Sequence, residues 1–164
     1  MRSFFEECFV GLGDSSHILR VSMRLGIAVL LGGLIGYERQ RDHQSAGMRT
    51  HMLVALGAAL FVIIPLEVGF SNDSMSHVVQ GLITGIGFLG AGSIMQVPAE
   101  HRVKGLTTAG SIWVTSALGA AVGLGLLWPA LLAVVLGLLI LFLLRKFEIQ
   151  IDPQDHSIKP TAGK

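Results

Sequence analysis

Five apolar stretches, each of about 16–22 residues and so close to the roughly 20 that a helix needs to cross a hydrocarbon core about 30 Å thick, follow one another between Arg24 and Leu144. Only short charged loops separate them. A soluble chain of 164 residues has no use for so much uninterrupted apolar surface. Its 14% of charged residues compares with about 25% in soluble domains, and its mean hydropathy is +0.65. The expected fold is therefore all-α: a polytopic membrane protein built as one bundle of five transmembrane helices. It is expected to fill residues 18–144, with an external or interfacial segment over 1–17 and a short cytoplasmic tail over 145–164.

The spacing predicts spans over Ile18–Tyr37, Thr50–Phe70, His77–Met95, Leu106–Leu127 and Pro129–Leu144. Trp128-Pro129, helped by Gly123 and Gly125, is expected to turn the chain between the last two, and Pro65 to kink the second. Lysine and arginine set the orientation. Arg39, Arg41 and Arg49 lie in the first loop, Arg102 and Lys104 in the third, and Arg145, Lys146, Lys159 and Lys164 in the tail. The second and fourth loops have none. With five spans these cations share one side, which the positive-inside rule places in the cytoplasm, leaving the N-terminus outside despite Arg2, Arg20 and Arg24. Met1–Asp14 carries Glu6, Glu7 and Asp14 rather than a basic leader, so no cleavable signal peptide is expected. Phe4, Phe5, Cys8 and Phe9 read either as a stripe on the outer leaflet or as a frayed tail.

Several function classes lose support at this stage. A net charge of +1 gives no case for nucleic acid as a partner. Cys8, the single cysteine, cannot form an intrachain disulfide, and no Cys/His cluster with metal-ligand spacing is visible. No nucleophile–base set points to an enzyme. No cofactor is implied, and no residue set identifies a metal site.

Polar residues inside a bilayer are costly, so they are the candidate functional positions. Arg24 must lie below the outer surface, because the apolar run from Leu25 to Tyr37 is too short to span alone. Glu67, near the outer end of the second span, is its expected partner; the competing reading has Arg24 snorkelling and Glu67 in loop water. At the opposite end Glu38, Arg39, Arg49, Thr50, Arg102 and Lys104 gather, either as an ordinary basic collar or as a docking surface for anionic lipid headgroups or a protein partner. Thr108, Ser111 and Thr115 recur on one face of the fourth span, beside Thr107 and Ser116. Such hydroxyls bond their own backbone, bond a neighbouring helix or line a water path.

Glycines punctuate the spans at helical spacing: Gly32, Gly33 and Gly36 in the first, Gly81, Gly85, Gly87, Gly90 and Gly92 in the third, Gly119 and Gly123 in the fourth. Gly85-x-Gly87-x-x-Gly90 matches a dinucleotide fingerprint, but within a membrane span small residues instead let helices approach closely. A locally unwound, carbonyl-lined third helix is the competing reading. On the packing reading, a leucine at Gly87 or Gly90 disrupts the bundle.

YERQ after a glycine-rich first span, then AGMRTHMLVALGAALF, GIGFLGAGSIM and VKGLTTAGSIWVTSALGAAVGLGL, resemble the MgtC/SapB family of bacterial membrane proteins. The resemblance runs from Arg24 to Leu127 and keeps the order of the blocks. It implies a five-helix, multi-pass protein of the bacterial inner (cytoplasmic) membrane with an outside N-terminus. It also implies a link to magnesium limitation and, in some members, to virulence. The family's signature positions fall on Arg24, Gly32, Gly33, Gly36, Glu38, Arg39, Gly47, Arg49 and Thr50, then on Gly85, Gly87, Phe88, Gly90, Gly92, Gly105, Thr107 and Thr108. Some relatives have asparagine at the position of Thr107. Virulence-type members add a cytoplasmic C-terminal domain, for which the residues after Leu144 leave no room; this chain is expected to be a short form.

The resemblance implies a regulator of other membrane proteins and ion gradients, an ATP synthase or a cation-transporting ATPase being the kind of partner. A homo-oligomer, such as a dimer, is also expected. The alternative is a transporter or channel for Mg²⁺ or another cation. Mg²⁺ could act as ligand or signal, but Glu38 and Glu67, the carboxylates nearest the spans, fall on opposite sides, whereas a Mg²⁺ site wants oxygens in octahedral array.

Overall fold

The computed structural model describes residues 15–97 and 102–151, with side chains over 15–94 and 103–143. Five helices follow in order: α1 Ser15–Arg41, α2 Met48–Glu67, α3 Asn72–Gly92, α4 Leu106–Gly123 and α5 Leu127–Ile151. Between α3 and α4 the strands β1 Met95–Val97 and β2 Arg102–Lys104 pair antiparallel, Gln96 opposite Val103. The fold is the expected helical membrane bundle. α1, α2 and α4 are long and apolar enough to cross a membrane by length and composition; the apolar part of α5, Leu127–Leu143, is shorter. The possible stripe at Phe4, Phe5, Cys8 and Phe9 lies outside the described residues.

The packing follows membrane logic. The interior is made of small or β-branched residues such as Ala28, Ala55, Ala59, Val122 and Ala130, with Ile35, Ile63 and Leu118 between them. Large residues point outward: Phe88 is 82% exposed and Trp128 75%. Lipid is as apolar as leucine, so burying bulk gains little there, whereas small residues let backbones touch. α2 and α4 form the closest such seam. A Cβ on Gly119 would overlap the Ala55 carbonyl oxygen, and one on Gly123 would lie 2.8 Å from the Ala59 carbonyl oxygen. α1 joins through Gly32 and Gly36, whose added Cβ atoms would each come within 2.6 Å of the α2 backbone.

Element boundaries differ from expectation where the chain supplies its own caps. α3 begins five residues before His77 because Ser71 caps it, its Oγ accepting from the Ser74 N–H at 3.3 Å, with Asp73 in the first turn. The turn between α4 and α5 is made by Leu124-Gly125-Leu126, not by Trp128-Pro129. Gly125 takes φ +83°, a left-handed conformation that glycine adopts without a Cβ penalty. Trp128 and Pro129 fall in the first turn of α5, where proline loses no helical hydrogen bond. Pro65 stands in the last turn of α2. The hairpin was not expected, since strands of three residues are too short for alternation to show. Gly105 ends it at φ +93° with the Ser93 carbonyl where a Cβ would sit.

Candidate functional site: a buried polar seam between three helices

Arg39, in the last turn of α1, is 4% exposed. Its Nη2 donates to Thr108 Oγ1 of α4 at 3.0 Å. The carboxylates of Glu38 and Asp42 act on the guanidinium electrostatically. Nε of Arg39 meets no acceptor among the described residues. Neutralisation by nearby carboxylates, rather than a complete set of direct bonds, is what makes this arginine tolerable in the interior.

One turn further into the bundle, His51 of α2 is fully buried. Nδ1 lies 2.9 Å from the Gly47 carbonyl oxygen. A carbonyl only accepts, so Nδ1 carries the proton and in the neutral ring Nε2 accepts. Nε2 lies 3.1 Å from Ser111 Oγ of α4. Ser111 Oγ also lies 2.8 Å from the Thr108 carbonyl oxygen, and Thr115 Oγ1 donates to the Ser111 carbonyl at 2.8 Å. Two acceptors therefore compete for the one Ser111 hydroxyl proton. Local sequence explains the placement: Gly32 and Gly36 leave the α2 backbone room to bring His51 against α1, and Thr108, Ser111, Thr115 and Gly119 form one face of α4.

Of the residues singled out from the sequence, the fold brings Arg39 and Thr108 together. Arg49, Thr50 and Lys104 are exposed at the same end of the bundle, and Thr107, adjacent to Thr108, is exposed too. Glu38 lies beside Arg39 and is half-buried. The expected Arg24–Glu67 pair is not formed. Arg24 Nη1 instead donates to the Gly123 carbonyl at 3.1 Å, capping the negative end of α4. Glu67 lies 2.7 Å from His17 Nε2. The carbonyl ends of a helix compete for an arginine as well as a carboxylate does, and hydropathy carries no sign of them.

The glycines divide. Gly32 and Gly36 are pressed against α2, and Gly33 faces the Met52 side chain at 3.4 Å. In α3 only Gly90 has a neighbour, Ala109, at an ordinary 3.7 Å; Cβ atoms on Gly81, Gly85, Gly87 or Gly92 would meet nothing within 4 Å. Disruption by leucine at Gly87 is thus not supported by the packing within the chain. α3 stays helical throughout, with no unwound segment. His51 was not singled out from the sequence. Its signal was the spacing His51, Ala55, Ala59, a small-residue stripe with one titratable side chain at its head. Among the described residues no group of three or more His, Cys, Asp or Glu gathers that could hold a metal ion.

Comparison with known proteins places this architecture. The model of the MgtC family matches residues 25–150. Protein SrpB of Synechococcus elongatus is 49% identical over 119 residues, covering 66% of this chain and 65% of that protein. Protein MgtC of Brucella abortus is 45% identical over 118 residues, covering 72% and 48%. The putative magnesium transporter YhiD of Escherichia coli K12 is 35% identical over 147 residues, covering 85% and 67%. The chain thus spans from about half to two thirds of the length of these relatives. No solved structure matches it.

Proposed function

The chain belongs to the MgtC family, and from that premise we propose that it is a non-enzymatic, multi-pass protein of the bacterial inner membrane that regulates other membrane proteins and ion gradients when Mg²⁺ is scarce. One observation supports regulation over conduction. The polar side chains inside the bundle bond to one another across a seam in which α1, α2 and α4 touch backbone to backbone, as at Gly32, Gly36 and Gly119. Mg²⁺ sheds water reluctantly and usually travels with several waters. A seam too tight for a methyl group has no room for such an ion.

On this reading the protein works as a homo-oligomer, such as a dimer, and acts on a partner of the ATP synthase or cation-transporting ATPase kind. The Arg39–Arg49 end faces the cytoplasm and the N-terminus lies outside. A second reading, transport of Mg²⁺ or another cation, draws its support from the name of the Escherichia coli relative. Reconstitution separates them. The protein in liposomes loaded with a Mg²⁺-sensitive dye should pass no more ion than empty vesicles, while deletion of its gene should shift membrane potential or ATP level in cells limited for Mg²⁺. Flux above the empty-vesicle rate that is lost in Thr108→Val overturns the regulator reading.

A further inference from the structure

We propose that the groove between α2 and α3 holds one acyl chain of an anionic phospholipid from the leaflet at the Arg49 end, its headgroup seated at Ser45 and Thr50. Two cavities form this slot. The larger, about 580 Å³, is lined by Leu53, Gly57 and Phe61 of α2 and Gly81, Gly85 and Leu89 of α3. The smaller, about 370 Å³, shares Val54 and Leu89 with it and adds the hydroxyls of Ser45, Thr50 and Ser93. An apolar trough therefore continues into a polar mouth, which is the polarity sequence of a phospholipid.

Length selects the occupant. The eleven-residue step from Thr50 to Phe61 covers about 16 Å at helical rise, close to half of a hydrocarbon core about 30 Å thick. On α3 the same slot runs from Val78 to Ser93, about 22 Å, so the trough takes at least one leaflet's depth and stops short of the opposite surface. A transmembrane helix from a second copy would need a channel along the whole span. The floor is bare backbone, since Cβ atoms on Gly81 and Gly85 would meet nothing within 4 Å. An unfilled trough facing hydrocarbon forfeits its dispersion contacts, and a flexible chain restores them without a fixed partner shape.

Charge selects the headgroup. Arg41, Arg49 and Lys104 are exposed at this end, against the half-buried Glu38 and Asp42. Arg49 and Thr50 are exposed at the N-terminus of α2, whose cap residue Gly47 has no side chain; Gln40 Oε1 accepts from the Met48 N–H at 3.2 Å, so a headgroup would meet the N–H groups that follow it. Backbone donors, a guanidinium and hydroxyls are the partners that a phosphodiester takes. This inference rests on the membrane fold alone and holds whether the protein regulates or conducts.

The test is native mass spectrometry of the full chain in mild detergent with equal amounts of phosphatidylglycerol and phosphatidylcholine. Phosphatidylglycerol should be retained about tenfold more, because both lipids share the phosphodiester and only phosphatidylcholine brings a choline cation against the basic end of the bundle. Gly85→Leu puts bulk into the trough from a position where a Cβ meets nothing within 4 Å, so it should melt like the parent yet retain neither lipid. Arg49→Gln combined with Thr50→Val should lower retention of both lipids, which share the phosphodiester, and should shrink the preference because the cation that repels choline is gone. Equal retention of the two lipids by the parent, or undiminished phosphatidylglycerol on Gly85→Leu, overturns the proposal. So does quantitative disulfide dimerisation of Gly85→Cys in a bilayer, which would give the groove to a second copy.

Discussion

His51 Nε2 lies 3.1 Å from Ser111 Oγ, a side-chain bridge from α2 to α4 in the fully buried heart of the seam. Its ring is held at both nitrogens, so truncation leaves the Gly47 carbonyl and the Ser111 hydroxyl to find other partners, and opens a cavity. His51→Ala should cost about 2–4 kcal/mol, the sum of a lost buried hydrogen bond and a cavity. At this size that lowers the unfolding midpoint by about 4–16 °C. His51→Asn, which keeps a donor and an acceptor on a shorter stem, should lose less than half as much. Thermal unfolding in detergent followed by circular dichroism measures both; equal losses would show that the bonds add nothing beyond volume.

Glycines of identical helical spacing should behave in opposite ways. Gly119→Ala drives a methyl into the Ala55 carbonyl, and α2 and α4 must part to admit it. Overpacking of this kind costs about 1–3 kcal/mol. Gly85→Ala meets nothing within 4 Å and should leave stability unchanged or raise it by up to about 1 kcal/mol, since alanine is the better helix former. The comparison is made on the two single variants in the same detergent, and a larger loss at Gly85 would mean that α3 packs against something other than its own chain.

That contrast marks how far the sequence could be read. Hydropathy and length sufficed for the number and approximate extent of the helices, because these depend on solvent preference residue by residue. Which glycine stripe is used inside the chain depends on which helices are neighbours, and nothing local to Gly119 distinguishes it from Gly85. Arg24 illustrates the same limit. Its need for a partner followed from its depth, but the partner is a backbone carbonyl ninety-nine residues away, supplied by the end of α4. Arg39 and Thr108 could be picked out as polar residues near span ends, whereas His51, one turn inside α2, passed for part of an apolar run.

Arg39 and Thr108 should show energetic coupling. Thr108→Val removes the acceptor of a buried guanidinium while keeping the side-chain shape, and a hydrogen bond to a charged group is worth about 1.5–3 kcal/mol. Arg39→Met removes the charge and keeps much of the length. The double variant should be more stable than the sum of the two losses implies, because Thr108→Val matters little once the guanidinium is gone. Arg39→Lys should not restore the parent, since a lysine ammonium cannot reproduce the planar fork that reaches Thr108. A double-mutant cycle on unfolding free energies checks this, and strict additivity would mean that the 3.0 Å contact carries no weight.

At the other end of the bundle, Gly125 combines two demands that only glycine meets together. Its φ of +83° puts it in the left-handed region, and a Cβ there would lie 2.9 Å from Arg24 Nη2. Gly125→Ala should therefore pay a left-handed backbone penalty of about 1–2 kcal/mol and also push the guanidinium away from the Gly123 carbonyl. Arg24→Met removes the guanidinium, so Gly125→Ala in that background should cost the backbone term alone. A cycle between Arg24 and Gly125 should then show coupling, while one between Arg24 and Glu67 should show none, because Glu67 is engaged by His17 at 2.7 Å. Measurable coupling between Arg24 and Glu67 would restore the ion pair that the sequence suggested and the α4 terminus displaced.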